Sequence, residues 1–196
     1  MLPPVYRFLL MLALLLCGSR VVALPNELAE PIVQVHSQEG TLVLDISYQV
    51  PVRPQQAWAV LMDFENMPAF IPNLEISRVL QHNGKHLEVE QKGSISLGPL
   101  TIPFESRREI AATPYQFIRS HSLSGSTRLE STLALIPSRS GGTQLAYHAT
   151  AVPELPVPSS LIASYMSELL RNQFKAMGRE MMRREQAADP QTLITR

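Results

Sequence analysis

The 196-residue sequence has a single cysteine and no basic surplus, since its 17 Lys and Arg residues equal its 17 Asp and Glu residues. A nucleic-acid-binding domain normally carries an excess of basic residues, so this balance argues against nucleic acid as a partner. Charged residues make up 17% of the chain, whereas soluble domains average roughly a quarter. The sequence also lacks GxSxG, HExxH and phosphate-binding glycine motifs, so it carries no signature of the enzymes built on them.

The first 23 residues have the three-part layout of a secretory signal peptide. Arg7 precedes an apolar run from Phe8 to Cys17, and Val21-Val22-Ala23 supplies a cleavage-site pattern. The run is about half as long as the roughly 20 apolar residues that span a membrane. We therefore expect cleavage near Ala23 and a secreted or periplasmic protein, with an uncleaved anchor as the alternative.

Removal of residues 1–23 would change the numbers of cysteine and charged residues in the chain. The segment contains Cys17, Arg7 and Arg20 and no acidic residue, so the mature chain would keep 15 basic and 17 acidic residues. A chain without cysteine excludes a thiol nucleophile, a disulfide and a cysteine metal site. The mature protein would depend on its hydrophobic core alone for stability.

Hydrophobic periodicity predicts one α+β domain over residues 41–185. Residues 41–50 alternate apolar and polar, which predicts a strand with one buried face, and two short helices are expected between Pro54 and Phe70. About six more strands follow, joined by short turns that favour antiparallel pairing. A long helix with an apolar stripe is predicted from Ser159. Residues 24–40 are expected to form an irregular N-terminal arm, and residues 186–196 a frayed tail.

This order of elements specifies a curved antiparallel sheet of about seven strands wrapped around a long C-terminal helix, with two short helices after strand 1. The helix would lie across the concave face of the sheet. Wherever the helix and the sheet do not pack flush, the space between them is a cavity.

A recognisable pattern runs through residues 41–184. It resembles the START-like (SRPBCC) superfamily with the helix-grip fold, nearest to its polyketide cyclase/dehydrase and coenzyme Q-binding branch. At Leu133 the sequence departs from relatives that often carry tryptophan. The segments that carry the resemblance are Val50-Pro51, Ala57-Trp58, Leu61 to Glu65, Pro68, Phe70 to Leu74, Ser77 to Leu80, Gly125, Gly142-Thr143 and the proline-rich entry to the last helix.

The resemblance implies an internal cavity for an apolar ligand. Arg108 is in register with Phe104 and Ile110, and a lone inward arginine could meet a lipid headgroup or a carboxylate. The alternative is an arginine at the sheet rim whose charged end reaches water. His121 shares a strand face with apolar neighbours and is interpreted as inward-pointing. The ligand-cavity candidates are Trp58, Phe70, Phe104, Arg108, His121, Leu133, Tyr147, Met166, Leu170, Phe174 and Met177.

No set of residues predicts a catalytic or metal centre. His82 and His86 flank the predicted Asn83-Gly84 turn, so their spacing does not create a helical metal pair. Acidic and basic residues that alternate along the strands, such as Glu88 and Arg107, are interpreted as ion pairs on the outer face. We predict no catalytic residue, no metal and no cofactor.

The leading hypothesis is a non-catalytic carrier of a lipid, quinone or polyketide-like molecule outside the cytoplasm. It would act as a monomer, with transient membrane contact while the ligand is exchanged. The first alternative is a cyclase, dehydratase or hydrolase that uses His121, Arg108 and Tyr147. The second is a protein-interaction module at the cell envelope, which would display an exposed apolar patch.

Overall fold

The computed structural model describes residues 28–84, 86–97, 100–139, 141–153 and 159–188. It contains an eight-stranded antiparallel sheet, two α-helices and one 3₁₀ helix. The expected signal peptide, most of the proline-rich connector 153–158 and the end of the expected tail lie outside the described residues. In chain order the elements are β1 Ile32–Gln38, β2 Thr41–Val50, α1 Pro54–Leu61, the 3₁₀ helix Phe64–Ala69, β3 Leu74–Asn83, β4 His86–Leu97, β5 Leu100–Thr113, β6 Phe117–Gly125, β7 Thr127–Pro137, β8 Thr143–Pro153 and α2 Ser159–Ala188.

The predicted helix-grip architecture is confirmed, with one strand more than expected. Residues 32–38, predicted to be part of an irregular arm, form the edge strand β1, which pairs with β2 from Ile32–Ser47 to Gln38–Thr41. The connecting turn is Glu39-Gly40, and both residues have positive φ, 50° and 82°. Such a turn suits a two-residue hairpin, but glutamate is not among the residues that normally announce one. The two short helices therefore follow the second strand.

The order of strands in the sheet determines where the interior lies. From edge to edge it is β1-β2-β8-β7-β6-β5-β4-β3, so the two strands that flank α1 and the 3₁₀ helix lie far apart in the sheet. The chain must therefore cross the sheet between β2 and β3, and α1 and the 3₁₀ helix make this crossing. Pro54 occupies the first turn of α1, where a missing N–H costs nothing.

The helix α2 packs on the concave face of the sheet near one edge. Its residues lie closest to β1, β2 and α1, and the inner-facing residues of β2 beneath it are buried from Leu42 to Val50. Phe174 meets Tyr48 edge-on with ring centroids 6.5 Å apart. Lys175 adds an ion pair to Glu30 at 2.6 Å. The inner face of β4 to β6 lies farther from the helix backbone, on the other side of the interior.

Candidate functional site

Arg108 is a charged residue that faces the interior. The alternation along β5 places it on the inner face with Phe104 and Ile110, whereas Arg107 lies on the outer face and pairs with Glu88. The Nε atom of Arg108 is shielded from solvent and has no hydrogen-bond partner. The Nε end of the guanidinium is therefore enclosed by the protein, although the residue as a whole is only partly buried.

The guanidinium of Arg108 is held by a polar chain from β3 and β4. Its Nη2 donates to Oε1 of Gln91, and Nε2 of Gln91 donates to Oγ of Ser77 at 3.1 Å. The same Nε2 lies 3.5 Å from Sδ of Met67 in the 3₁₀ helix. Gln91 thus holds Nη2 of the guanidinium, whereas Nε is covered by the protein and has no partner.

Tyr147 approaches Arg108 from the opposite side of the interior. It lies on β8, and its hydroxyl is hydrogen-bonded to that of Ser131 on β7. Burial raises the pKa of Tyr147, and the nearby positive charge of Arg108 opposes this shift. β5 and β8 are three strand spacings of about 4.8 Å apart along the sheet. The two side chains can interact because the sheet curves around the interior.

The polar side chains of this site lack a full set of partners. Oγ of Ser120, which lies on β6 opposite Ser131, is buried and unpartnered, like Nε of Arg108. Among the described residues no carboxylate forms an ion pair with Arg108. Desolvation lowers the pKa of Arg108, the direction expected for a cation removed from water. We call Arg108, Gln91, Ser120, Ser131 and Tyr147 the inner polar cluster.

Apolar side chains from α2 and β7 surround the inner polar cluster. Phe174 lies 5.7 Å from the ring of Tyr147, and Leu133 pairs with Tyr147 across β7 and β8. Leu133, Leu170 and Phe174 are buried, and Met166 and Met177 pack against the same core. Six sequence candidates are thus brought to one interior: Arg108, Leu133, Tyr147, Leu170, Phe174 and Met177. A seventh, Met166, lies on α2 one turn before Leu170.

Three aromatic candidates lie at the margins of this interior. Phe104 faces inward next to Gly93, but it lies beyond the last β5–β6 pair, Ser106–Gly125. Trp58 is half-buried on α1 and packs against Tyr115 with ring centroids 5.8 Å apart. Phe70 lies beneath the guanidinium of Arg184, 5.9 Å away. These residues border the interior rather than lining its centre.

His121 does not belong to the interior, so its predicted inward orientation is wrong. It is exposed on the outer face of β6, while Ile118 and Ser120 face inward. The apolar residues that share its face, Phe117 and Leu123, suggested burial, yet Leu123 is itself 48% exposed. His121 instead borders an open depression of about 480 Å³ on the convex surface.

The outer face of the sheet carries ion pairs, as the alternation of charges predicts. Arg107 pairs with Glu88, and His86 lies 2.7 Å from Glu109. His148 lies 2.8 Å from Asp45 across β8 and β2. Over the described ranges, no three His, Cys, Asp or Glu side chains are grouped so that they could hold a metal ion.

Sequence reasoning missed Gln91, Ser77, Ser120 and Ser131. A signal for Gln91 existed, because it continues the inner-face alternation of Leu87 and Val89. The serines gave no such signal, since a small hydroxyl residue is equally common on either face of a strand. Their role depends on which strands are neighbours, and the sequence pattern alone does not determine that order.

Comparison with known proteins places this architecture in a family. The model of the family described as "Polyketide cyclase / dehydrase and lipid transport" matches residues 50–177, which include α1, all strands from β3 to β8 and most of α2. The chain belongs to this family. It is thereby a member of the START/SRPBCC superfamily, as the pattern in the sequence predicts. The sequence matches no curated protein.

Solved structures of the family share the fold at low sequence identity. A STAR-related lipid transfer protein from Xanthomonas axonopodis has a TM-score of 0.64 at 15% identity, over 79% of this chain and 97% of that chain. A START superfamily protein from Mycobacterium smegmatis has a TM-score of 0.62 at 15% identity, over 72% and 97%. The Zhui aromatase/cyclase from Streptomyces sp. R1128 has a TM-score of 0.59 at 13% identity, over 77% and 98%. At these identities the likeness concerns the fold alone.

Proposed function

We propose that the protein binds and carries one apolar small molecule in the space between α2 and the concave face of the sheet. The observation that carries this proposal is the position of α2. It lies closest to β1, β2 and α1, whereas the inner face of β4 to β6 is farther from its backbone. A helix that covers one side of a concave sheet leaves room for a guest on the other.

The composition of the interior suits an apolar guest. Its walls combine Leu133, Leu170, Phe174 and adaptable methionines such as Met166 and Met177, and methionine conforms readily to irregular ligands. Burial of about 300 Å² of ligand surface is worth roughly 7 kcal/mol before the costs of binding, at about 25 cal/mol/Å². That is enough to keep a molecule of limited solubility out of water.

The ligand class that we propose is a lipid, quinone or polyketide-like molecule, which includes the coenzyme Q type of ligand. The family unites lipid transport with polyketide cyclisation, and the Xanthomonas relative is a lipid transfer protein by name.

The protein would work outside the cytoplasm as a monomer, after cleavage near Ala23, with transient membrane contact. The segment from Asp63 to Leu74 would form the mouth. No helix of the described residues is long and apolar enough to cross a membrane.

The test is to identify what the protein carries. The protein is purified from its native compartment without detergent, extracted with organic solvent and analysed by mass spectrometry. We expect one apolar compound near one molecule per chain, absent from an extract of an unrelated exported protein. Protein that is consistently ligand-free and that takes up no lipid or quinone from vesicles would contradict the proposal.

An enzyme on the same fold is the second candidate, because Arg108 and Tyr147 converge in the interior. Burial keeps the Tyr147 phenol protonated, so it could donate a hydrogen bond to a carbonyl oxygen. The exposed position of His121 removes the general base that this candidate requires. Incubation of a poly-β-ketone with the protein and with Tyr147→Phe would distinguish the two, since a carrier gives in both cases the products that form in buffer alone.

The third candidate, a protein-interaction module, finds less support. The large apolar side chains that are exposed, Ile32, Leu80, Leu100, Leu123 and Ile136, belong to five different strands. An interaction surface of that kind normally gathers such residues into one patch.

A further inference from the structure

The unpartnered Nε of Arg108 indicates the chemistry of the ligand's head group. A buried guanidinium is normally paired with a carboxylate, because an isolated charge is costly to remove from water. Arg108 has only the neutral Gln91 as a described hydrogen-bond partner, and its Nε is both buried and unpartnered. The described part of the chain therefore supplies a cation without a counter-ion.

The surroundings of Arg108 are built to hold it in place. Gln91 is fixed in turn by Ser77 at 3.1 Å and contacts Met67. Arginine carries several donors in a rigid fork that matches the two oxygens of a carboxylate. A fork with one side fixed by an amide and the other side free is oriented for an incoming acceptor.

A second orphan donor lies on the same inner surface. Ser120, with an unpartnered buried hydroxyl, pairs with Ile110, the next inner-facing residue after Arg108 on β5. Ser122 lies directly opposite Arg108, but its hydroxyl accepts from N of Leu129 and donates to the carbonyl of Thr127. Free donors are thus found on neighbouring inner positions of β5 and β6, surrounded by apolar side chains.

We propose that the ligand is an apolar monocarboxylic acid whose carboxylate pairs with Arg108 inside the protein, while its hydrocarbon part lies along Leu133, Phe174 and the methionines of α2. The single positive charge favours a singly charged head, because a phosphate monoester would bury a second negative charge. This inference rests on the proposed function and narrows its ligand class from apolar molecules in general to acids.

The test compares ligands that differ only in the head group. Affinities of the purified protein for palmitate, hexadecan-1-ol and hexadecyl phosphate are measured by displacement of one uncharged fluorescent long-chain alcohol. We expect palmitate to bind at least tenfold more tightly than hexadecan-1-ol, and hexadecyl phosphate to bind less tightly than palmitate. Equal affinity for acid and alcohol would overturn the inference and leave the proposed function intact. Failure of the fluorescent alcohol and of all three ligands to bind would overturn both.

Matched variants then locate the effect. In Arg108→Gln the acid and the alcohol should bind within twofold of each other. In Arg107→Gln, one residue along β5 on the outer face, the tenfold preference should remain. A preference that persists in Arg108→Gln contradicts the assignment. Should Arg108→Gln not fold, Arg108→Lys keeps the charge but not the fork, and it must then bind palmitate more weakly than the wild type.

Discussion

Arg108 illustrates what sequence reasoning can and cannot resolve at the scale of one residue. Strand alternation predicts that it faces inward, and the structure confirms this. Whether its charge would reach water or remain inside depends on the curvature of the sheet and on the position of Gln91. Neither is encoded in the local pattern, so the sequence leaves both the buried and the rim position open.

A buried cation without a counter-ion should lower the stability of the ligand-free protein. We predict that Arg108→Met raises the free energy of unfolding by about 1–2 kcal/mol, because the desolvation cost of the guanidinium disappears while Gln91 loses one partner. Urea unfolding of the ligand-free protein measures this change. Arg107→Met is the control and should change stability by less than about 1 kcal/mol. A clear loss of stability in Arg108→Met would show that the guanidinium stabilises the fold.

Gly178 and Tyr48 form a second residue-scale constraint, where α2 crosses β2. A Cβ at position 178 would lie 2.2 Å from Oη of Tyr48, so only glycine permits this approach. The hydroxyl is buried without a partner, and desolvation raises the pKa of Tyr48 to about 12. The close approach explains why a residue of poor helix propensity stands in the middle of a long helix.

Substitution of Gly178 should therefore destabilise the protein although alanine is the better helix former. We predict that Gly178→Ala lowers the free energy of unfolding by about 1–3 kcal/mol through overpacking. Tyr48→Phe alone should have little effect on stability. The double variant should recover only part of the loss, because two ring carbons of residue 48 would still lie 2.8 Å from the added Cβ. Thermal unfolding of all four proteins tests this cycle, and a stabilised Gly178→Ala would contradict it.

At the scale of elements, the C-terminal turns of α2 are tied to the segment that crosses the sheet. Arg184 pairs with Asp63 at 2.6 Å and with Glu180 at 2.7 Å. Glu180 also accepts from Arg183, and these hydrogen bonds lower its pKa to about 2 from an ordinary value of 4.5. The ion-pair group fixes α2 to the start of the 3₁₀ helix, beside the proposed mouth.

This group should make stability depend on acid pH. Because the pKa of Glu180 is lower in the folded state, the carboxylate stabilises the fold above about pH 4.5, and its contribution is lost as the pH falls towards 2. We predict that Glu180→Gln removes about 1 kcal/mol of this acid-dependent stability, a modest value because Arg183 is largely exposed. Urea unfolding at several pH values between 2 and 6 measures it.

The control for that experiment lies on the same helix. Glu168 is 62% exposed and pairs with Arg171 at the same spacing as Glu180 with Arg183. Glu168→Gln should keep the pH profile of the wild type. Identical profiles for Glu180→Gln and the wild type would mean that the ion-pair group does not contribute to stability.

Individual elements were predictable where a hydrophobic period extended over many residues or where the turn residues gave a strong hairpin signal. The hairpin between β3 and β4 and the stripe of α2 are examples, and both are confirmed, although Asn83 is the last paired residue of β3 and not part of the turn. β1 was missed because it is a short edge strand whose outer residues, apart from Ile32, are polar and whose turn begins with Glu39. The sequence pattern wrongly predicted an inward His121, because the edges and the convex face of this sheet also carry apolar residues such as Leu123.

At the scale of the whole molecule, the order of elements was enough to predict the fold, and the interior was only partly predictable. Seven candidates, from Arg108 on β5 to Met177 on α2, do meet on the inner side. The serines and Gln91 that complete the inner polar cluster come from three strands, whose neighbours are set by tertiary pairing. Ligand chemistry depends on this pairing more than on any single segment.

The most direct test of the central claim is the number of apolar molecules that one chain encloses. Native mass spectrometry of the protein titrated with palmitate should show one molecule per chain. Leu133→Trp, which enlarges an inner-facing residue, should abolish this complex while the protein remains folded, whereas Ile136→Trp on the exposed side of the same strand should retain it. Absence of a one-to-one complex in the wild type would contradict an acid-binding interior, and undiminished binding by Leu133→Trp would contradict an interior that holds an apolar guest.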